Sequence, residues 1–299
     1  MGSRAVSLLS TVGLLLSPVS LVLATPVGSE PRALGQTFLG SDSVSAPSSQ
    51  SVEHTGNHEH DTTYTDSDSV AATAAPSWFT STLMARRLLA LSTTGVISTI
   101  FPSPAPDKSH TPASLAGQSV SLREYISDCD EHLPRDTSHG GNGDPTLLGL
   151  RVSSTFRNIA AGSNLSVSID WWDHINDTKP VFPGFPLSEA GLPRVTLFGY
   201  VEEFPTPVPE DTSEALTSCY TKAHPDARVW LPGKAGSPHS SFWARMVVTE
   251  IYWIGGFGGL QQIGWINATE WKGIRRTGSL EGVGDGRGWE DVRLPGEAN

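Results

Sequence analysis

Near the middle of the chain, Ser153-Ser154-Thr155-Phe156-Arg157-Asn158 packs three hydroxyls and a guanidinium into a short stretch. That is the donor set an anionic phosphate needs, because arginine presents a planar fork of N–H groups and hydroxyls add neutral donors. The same residues have a plainer use, with Arg157 paired to an acid and the hydroxyls capping a turn. The sequence leaves both open. Gly255-Gly256-Phe257-Gly258-Gly259 has the glycine density of a phosphate loop. Strand-like runs flank it on both sides, so no helix N-terminus follows and a turn between strands is expected. His54, His58, Glu59, His60 and Asp61 have the side chains of a metal clip. Their polar surroundings lack the neighbours that orient real ligands, and a solvated tract is expected. No G-x-S-x-G, H-E-x-x-H, G-x-x-x-x-G-K-[ST] or C-x-x-C motif occurs.

Three Asn-x-Ser/Thr sequons are present, at Asn164, Asn176 and Asn267, each at a strand edge or in a loop where a glycan can stand in water. Cys129 and Cys219 are the two cysteines. Two readings stand: a disulfide formed in an oxidising compartment, or a free Cys219 buried on its helix.

The elements that must position these groups follow from periodicity. Residues 76–91 read as a short helix with Pro76 in its first turn, Met84, Leu88 and Leu91 on one face and Arg86 and Arg87 to the side. Strand-like runs cover 96–101, 146–153, 165–172, 195–201, 242–254 and 263–266, several alternating apolar with polar residues. Residues 102–117 read as a Pro/Ser loop and 118–145 as a second long connection. Asp211-Thr212-Ser213-Glu214 has capping-box spacing ahead of a helix with Leu216, Cys219, Tyr220 and Ala223 on one stripe, stopped by His224-Pro225. Strands outweigh helices, so the fold class is α+β dominated by β, built on an antiparallel barrel.

The ends differ in composition. Residues 1–24 read as a signal peptide: Arg4, then an apolar run broken at Ser17-Pro18, then Ala24 as the small residue before cleavage. Residues 25–75 hold seven acids against one base and no apolar periodicity, and read as a disordered polar linker. They carry about half of the formal net charge of −11. Residues 274–299 read as a flexible Gly-rich tail. The acidic balance, with a pI near 5.2, excludes a basic footprint for nucleic acid. No segment after the leader is long and apolar enough to span a membrane. The expected location is therefore the secretory pathway, extracellular or in a vacuolar or endolysosomal lumen.

The stretches PTLLGLRVSSTFRNIAAGSNLSVSI, PRVTLFGYVEEF, SCYTKAHPDARVWLPG and HSSFWARMVVTEIYWIGGFGGLQQIGWI, in that order, resemble the CREG-like family. That family lies within the pyridoxamine-phosphate-oxidase-like, FMN-binding split-barrel superfamily. The resemblance covers residues 76–273. It implies a six-stranded split β-barrel with peripheral helices, a homodimer, and a secreted or endolysosomal glycoprotein. Flavin-using relatives hold the FMN phosphate with Arg, Lys, Ser and Thr between subunits, and Ser154, Thr155 and Arg157 fall where such a cluster would lie. Here one arginine stands in place of several basic residues, and the insertions 102–145 and 173–193 are at hand to fill a groove. The resemblance thus implies a non-catalytic protein that binds a receptor or other protein partner; the alternative is an FMN-dependent oxidoreductase. For the dimer, the strands carrying Trp243, Trp253 and Trp265 are the expected contributors.

Overall fold

A computed structural model describes residues 75–103, 111–134, 143–182, 184–257 and 259–298. The leader, the acidic tract and the histidines within it lie outside the described residues.

Helix α1 (Trp78–Leu91) starts after Ser77, whose hydroxyl accepts the Thr80 N–H, so Pro76 precedes the helix and does not sit in its first turn. Seven strands form one antiparallel sheet: β1 (Thr94–Ile100), β2 (Ser119–Tyr125), β3 (Thr146–Leu150), β4 (Leu165–Asp170), β5 (Arg194–Glu203), β6 (Ser241–Ile254) and β7 (Ile263–Ile266). Their order is β2-β1-β4-β5-β6-β3, with β7 also paired to β6. The path closes on itself: just past β2, Ser127 bridges Thr146 at the start of β3 by two backbone bonds of 2.7 and 3.2 Å. That single bridge joins the two ends of the path, while Ser119–Tyr125 itself pairs, among the described residues, only with β1. At 14 residues β6 is the longest strand, and it carries β3 along its first half and β7 along its second.

The stretch 118–145, expected as a connection, therefore supplies a barrel strand. Its signal was weak because β2 buries little on either face, and the alternation of Val120 and Leu122 stops at Arg123-Glu124. A register shift at Phe198/Gly199 bends β5 over β6. Glycine is required there, because a Cβ on Gly199 would lie 1.9 Å from the Val247 carbonyl oxygen.

Three more helices lie at the periphery: α2 (Ser154–Ala160), α3 (Glu210–Ala223) and α4 (Ala268–Gly273). In α3 the cap position falls on Pro209, and Asp211 sits inside the first turn with its carboxylate on the Thr212 N–H, so the expected capping box does not form. The barrel core gathers Leu88, Leu89, Ile97, Val167, Leu197 and Met246 around Trp253 and Trp271, both fully buried. Trp243 is also buried, at 3% exposure, so of the three tryptophans expected at an interface only Trp265 faces outward.

The C-terminal residues, expected as a flexible tail, are packed. Ile274 and Val292 join Leu83 of α1 in a small core, and Leu294 enters the main one. Glu297 takes Arg87 at 2.8 Å through Nε, with a second contact from Nη2. Arg86 and Arg87, placed beside the apolar face by periodicity, are in fact both buried against carboxylates.

Candidate functional site

The hydroxyl-rich segment does not end a strand. Leu150 closes β3, and Ser153 then accepts the Phe156 N–H at 3.3 Å and starts α2. Helical rotation of about 100° per residue separates the three candidate residues. Ser154 and Arg157 share the outer face, with Arg157 exposed and its Nη2 3.4 Å from Ser154 Oγ. Thr155 turns inward, is 1% exposed, and donates to Glu124 of β2 at 2.6 Å. Asn158 anchors the helix to β1 through Thr99 at 3.0 Å. The structure brings Ser154 and Arg157 together and sends Thr155 elsewhere.

Beside α2 lies a cleft of about 210 Å³ between Arg123, Glu124 and Tyr125 of β2, Leu148 and Leu150 of β3, Ser153, Phe156, Tyr220 and Trp230. It is smaller than the roughly 300–1,000 Å³ of ordinary cofactor pockets. Of the two insertions expected to fill a groove, 173–193 contributes nothing to its walls, whereas β2 forms one of them. The basic residues near the cleft are already matched. Arg123 pairs with Asp173. Arg151 lies over the Phe242 ring at 3.7 Å and pairs with Glu203 at 2.7 Å.

Sequence reasoning missed the aromatic wall behind the cleft. Tyr125 stacks on His224 with centroids 4.3 Å apart, and its hydroxyl donates to Asp226 at 2.9 Å. His224 Nε2 meets the Ile126 carbonyl at 2.9 Å, which assigns the ring proton to Nε2. The Tyr220 hydroxyl donates to the Tyr125 carbonyl at 3.3 Å. The hydrogen bond and charge of Asp226 hold the Tyr125 phenol above its ordinary pKa, with a small contribution from burial. Burial raises Tyr220. Both phenols are thus kept protonated, as weaker acids than a free tyrosine. The sequence signal is His224-Pro225-Asp226, which periodicity reads only as a helix stop.

An FMN phosphate needs several donors converging on one point; of the three expected here, Thr155 is spent on the Glu124 carboxylate, and Ser154 and Arg157 are left together on the outer face of α2.

A second polar group lies under α1. Arg86, fully buried, pairs with Asp128 at 3.1 Å and sits 5.0 Å from the Trp271 ring centroid. Gly143 makes room for it, since a Cβ there would fall 1.9 Å from Arg86 Nη1. Asp144 accepts the Val248 N–H at 2.8 Å and pairs with Lys272. Asp130 accepts the Asp144 N–H at 2.9 Å, and its pKa is pushed up to about 7 by burial and by the charges of Asp128 and Asp144. Between Asp128 and Asp130, Cys129 forms a disulfide with Cys219 of α3, Cα atoms 5.8 Å apart. Among the described residues no group of three or more His, Cys, Asp or Glu is placed to hold a metal.

The sequon asparagines are all exposed. Asn164 precedes β4, Asn176 lies in the 3-10 turn Trp172–Asp177, and Asn267 caps α4. Among the described residues no helix is long and apolar enough to cross a membrane.

The antiparallel path, with its ends joined by the Ser127–Thr146 bridge and helices at its rim, defines a split β-barrel. The family model described as "CREG, beta-barrel" matches residues 78–272, well over half of the sequence, and the chain belongs to that family. No match was found among curated proteins. Solved structures with a similar fold include the heme binding protein from Mycobacterium smegmatis, at 16% identity and TM-score 0.39 over 62% of this chain and 57% of that one. A FAD-binding protein from Mesorhizobium loti matches at 14% identity and TM-score 0.32, over 55% of this chain and 85% of that one. The heme storage protein HutZ from Vibrio cholerae matches at 7% identity and TM-score 0.34, over 57% and 93%. The chain thus spans less than two thirds of the first of these, and likeness at such scores carries no argument about ligands.

Proposed function

We propose that this CREG-family chain is a secreted or endolysosomal glycoprotein whose barrel performs no flavin chemistry and which acts by binding a receptor or other protein partner, itself as a homodimer. The observation that carries the reading is the 2.6 Å bond from Thr155 to Glu124, which commits the inward hydroxyl of the candidate phosphate cluster to an acid. The homodimer is supported by β2, whose Leu122 and Tyr125 are exposed at 38% and 40% on a strand paired along only one edge. A second copy against β2 covers both side chains and the cleft beside them. An acidic lumen is supported by Asp130, which keeps its proton up to about pH 7 and so avoids a buried charge there. FMN-dependent oxidoreductase is the second reading, favoured by Arg157 and Ser154 standing side by side on the outer face of α2.

Expressed in secreting eukaryotic cells, the product is expected in the medium or lumen, starting at or near Thr25. Incubated with FMN and passed through gel filtration, it is expected to elute without flavin absorbance. Retention of Met1 on a cytosolic product would remove the secretory reading. Stoichiometric flavin in the protein peak would replace the binding role with the oxidoreductase.

A further inference from the structure

Trp265 is the most exposed large apolar side chain of the described residues, at 59%. It stands on the outer face of the sheet beside Tyr252 and Phe198, ring centroids 5.1 and 5.8 Å away, with Ile263 on the same strand 45% exposed. An apolar patch of this kind calls for a cover. The next residue, Ile266, is 4% exposed and points into the core, so extended alternation turns Asn267 to the same side as Trp265.

Asn267 is a sequon residue with a fixed orientation. Its Oδ1 accepts the N–H groups of Thr269 and Glu270 at 2.8 and 3.1 Å, which assigns the oxygen to the helix and leaves Nδ2 outside the cap. Thr269, the hydroxyl residue of the sequon, is exposed. Two residues of extended chain rise about 6.6 Å, within the reach of the first pyranose on Nδ2. Neither other sequon has this arrangement. Gly162 stands two residues before Asn164, and His174, two before Asn176, is stacked on Trp171 at 4.0 Å.

We propose that Asn267 is glycosylated and that the first sugar of its oligosaccharide stacks on the Trp265 indole, so that the chain's own glycan covers the aromatic face of β7. The inference rests on the secretory-glycoprotein reading above. In the attachment, Nδ2 bonds to C1 of an oligosaccharide carried on a lipid pyrophosphate. The C1–O bond to pyrophosphate breaks, one amide proton leaves, and the lipid pyrophosphate departs. The amide oxygen is untouched, so the α4 cap survives. The attraction is that of an electron-rich ring face for the weakly positive C–H face of a sugar, together with apolar area removed from water.

The test uses the full secreted protein in its high-mannose form. Glycopeptide mass spectrometry reads occupancy at Asn164, Asn176 and Asn267, and oxidative footprinting reads Trp265. The expected result is an occupied Asn267 and a protected Trp265. Protection should persist when endoglycosidase H leaves one sugar, and Trp265 oxidation should rise severalfold when peptide N-glycosidase F removes all of it. That enzyme leaves aspartate at 267, which caps a helix as asparagine does, so lost protection is not a lost cap. Full deglycosylation should lower Tm in the wild type and have a smaller effect in Trp265→Ala. An empty Asn267 with Asn164 or Asn176 occupied would overturn this proposal alone, and three empty sequons would overturn the glycoprotein reading beneath it. Protection that outlasts complete glycan removal would assign the face to a protein partner and overturn the proposal as well.

Discussion

Thr155 Oγ1 lies 2.6 Å from Glu124 Oε1, joining α2 to β2 beside the cleft. With Thr155 1% exposed, the bond is made out of water on the helix side. Thr155→Val keeps the shape and removes the donor. It should cost about 1.5–3 kcal/mol, the range for a hydrogen bond to a charged group. Urea denaturation reads this directly, and an unchanged midpoint would show that water replaces the hydroxyl.

Asp130 gives a pH dependence with a definite sign. Its pKa rises from 3.8 to about 7 on folding, because burial and the charges of Asp128 and Asp144 outweigh the Asp144 N–H and Arg86. Between those values the folded state holds a proton the unfolded chain has lost, so the stabilisation is whole below about pH 4 and gone above about pH 7. The swing is on the order of 4 kcal/mol. Wild type should therefore gain stability relative to Asp130→Asn as pH falls from 7.5 to 5. Parallel profiles for the two proteins would place the proton elsewhere.

Much of this architecture is legible in the sequence because β4 and the first half of β5 bury one face and alternate accordingly, with Leu165, Val167 and Ile169 turned inward, while β6 is a long apolar run buried on both faces at its start. What was hidden has physical reasons. β2 buries little on either face, and its alternation stops at Arg123-Glu124. Arg86 and Arg87 break the apolar stripe of α1 yet are buried, because their partners Asp128 and Glu297 lie 42 and 210 residues away. The Ser153 cap was readable, but a helix of seven residues is too short for its period to compete with the strand before it. The Tyr125, His224 and Asp226 wall is assembled by tertiary contact between segments about 100 residues apart, which no local spacing reports.

The buried clasp of the C-terminus on α1 is open to the same kind of test. Arg87 and Glu297 are 6% and 8% exposed at the side chain. Glu297→Gln leaves the guanidinium without a counter-charge and should cost about 3 kcal/mol. Limited proteolysis after residue 290 should accelerate in parallel. Wild-type resistance in the variant would show that Val292 and Leu294 hold the segment unaided.

The Cys129–Cys219 bond closes a loop of 90 residues. Loops of that size lose much unfolded-state entropy on cross-linking, and removing such a bond costs about 2–5 kcal/mol. The double variant Cys129→Ser, Cys219→Ser should unfold at correspondingly lower denaturant and secrete poorly. Mass mapping of the wild type without reductant should recover the linked peptide pair.

The central claim is that the barrel's candidate phosphate cluster is closed to flavin, and fluorescence titration of the purified secreted protein with FMN tests it most directly. The account predicts no saturable quenching up to about 100 μM, a limit corresponding to roughly 5–6 kcal/mol of binding free energy. Arg157→Ala should look the same, because Arg157 is exposed and 3.4 Å from Ser154 without Thr155 beside it. Saturable wild-type binding in the low micromolar range, weakened tenfold or more by Arg157→Ala, would contradict the account and assign the chain a flavin.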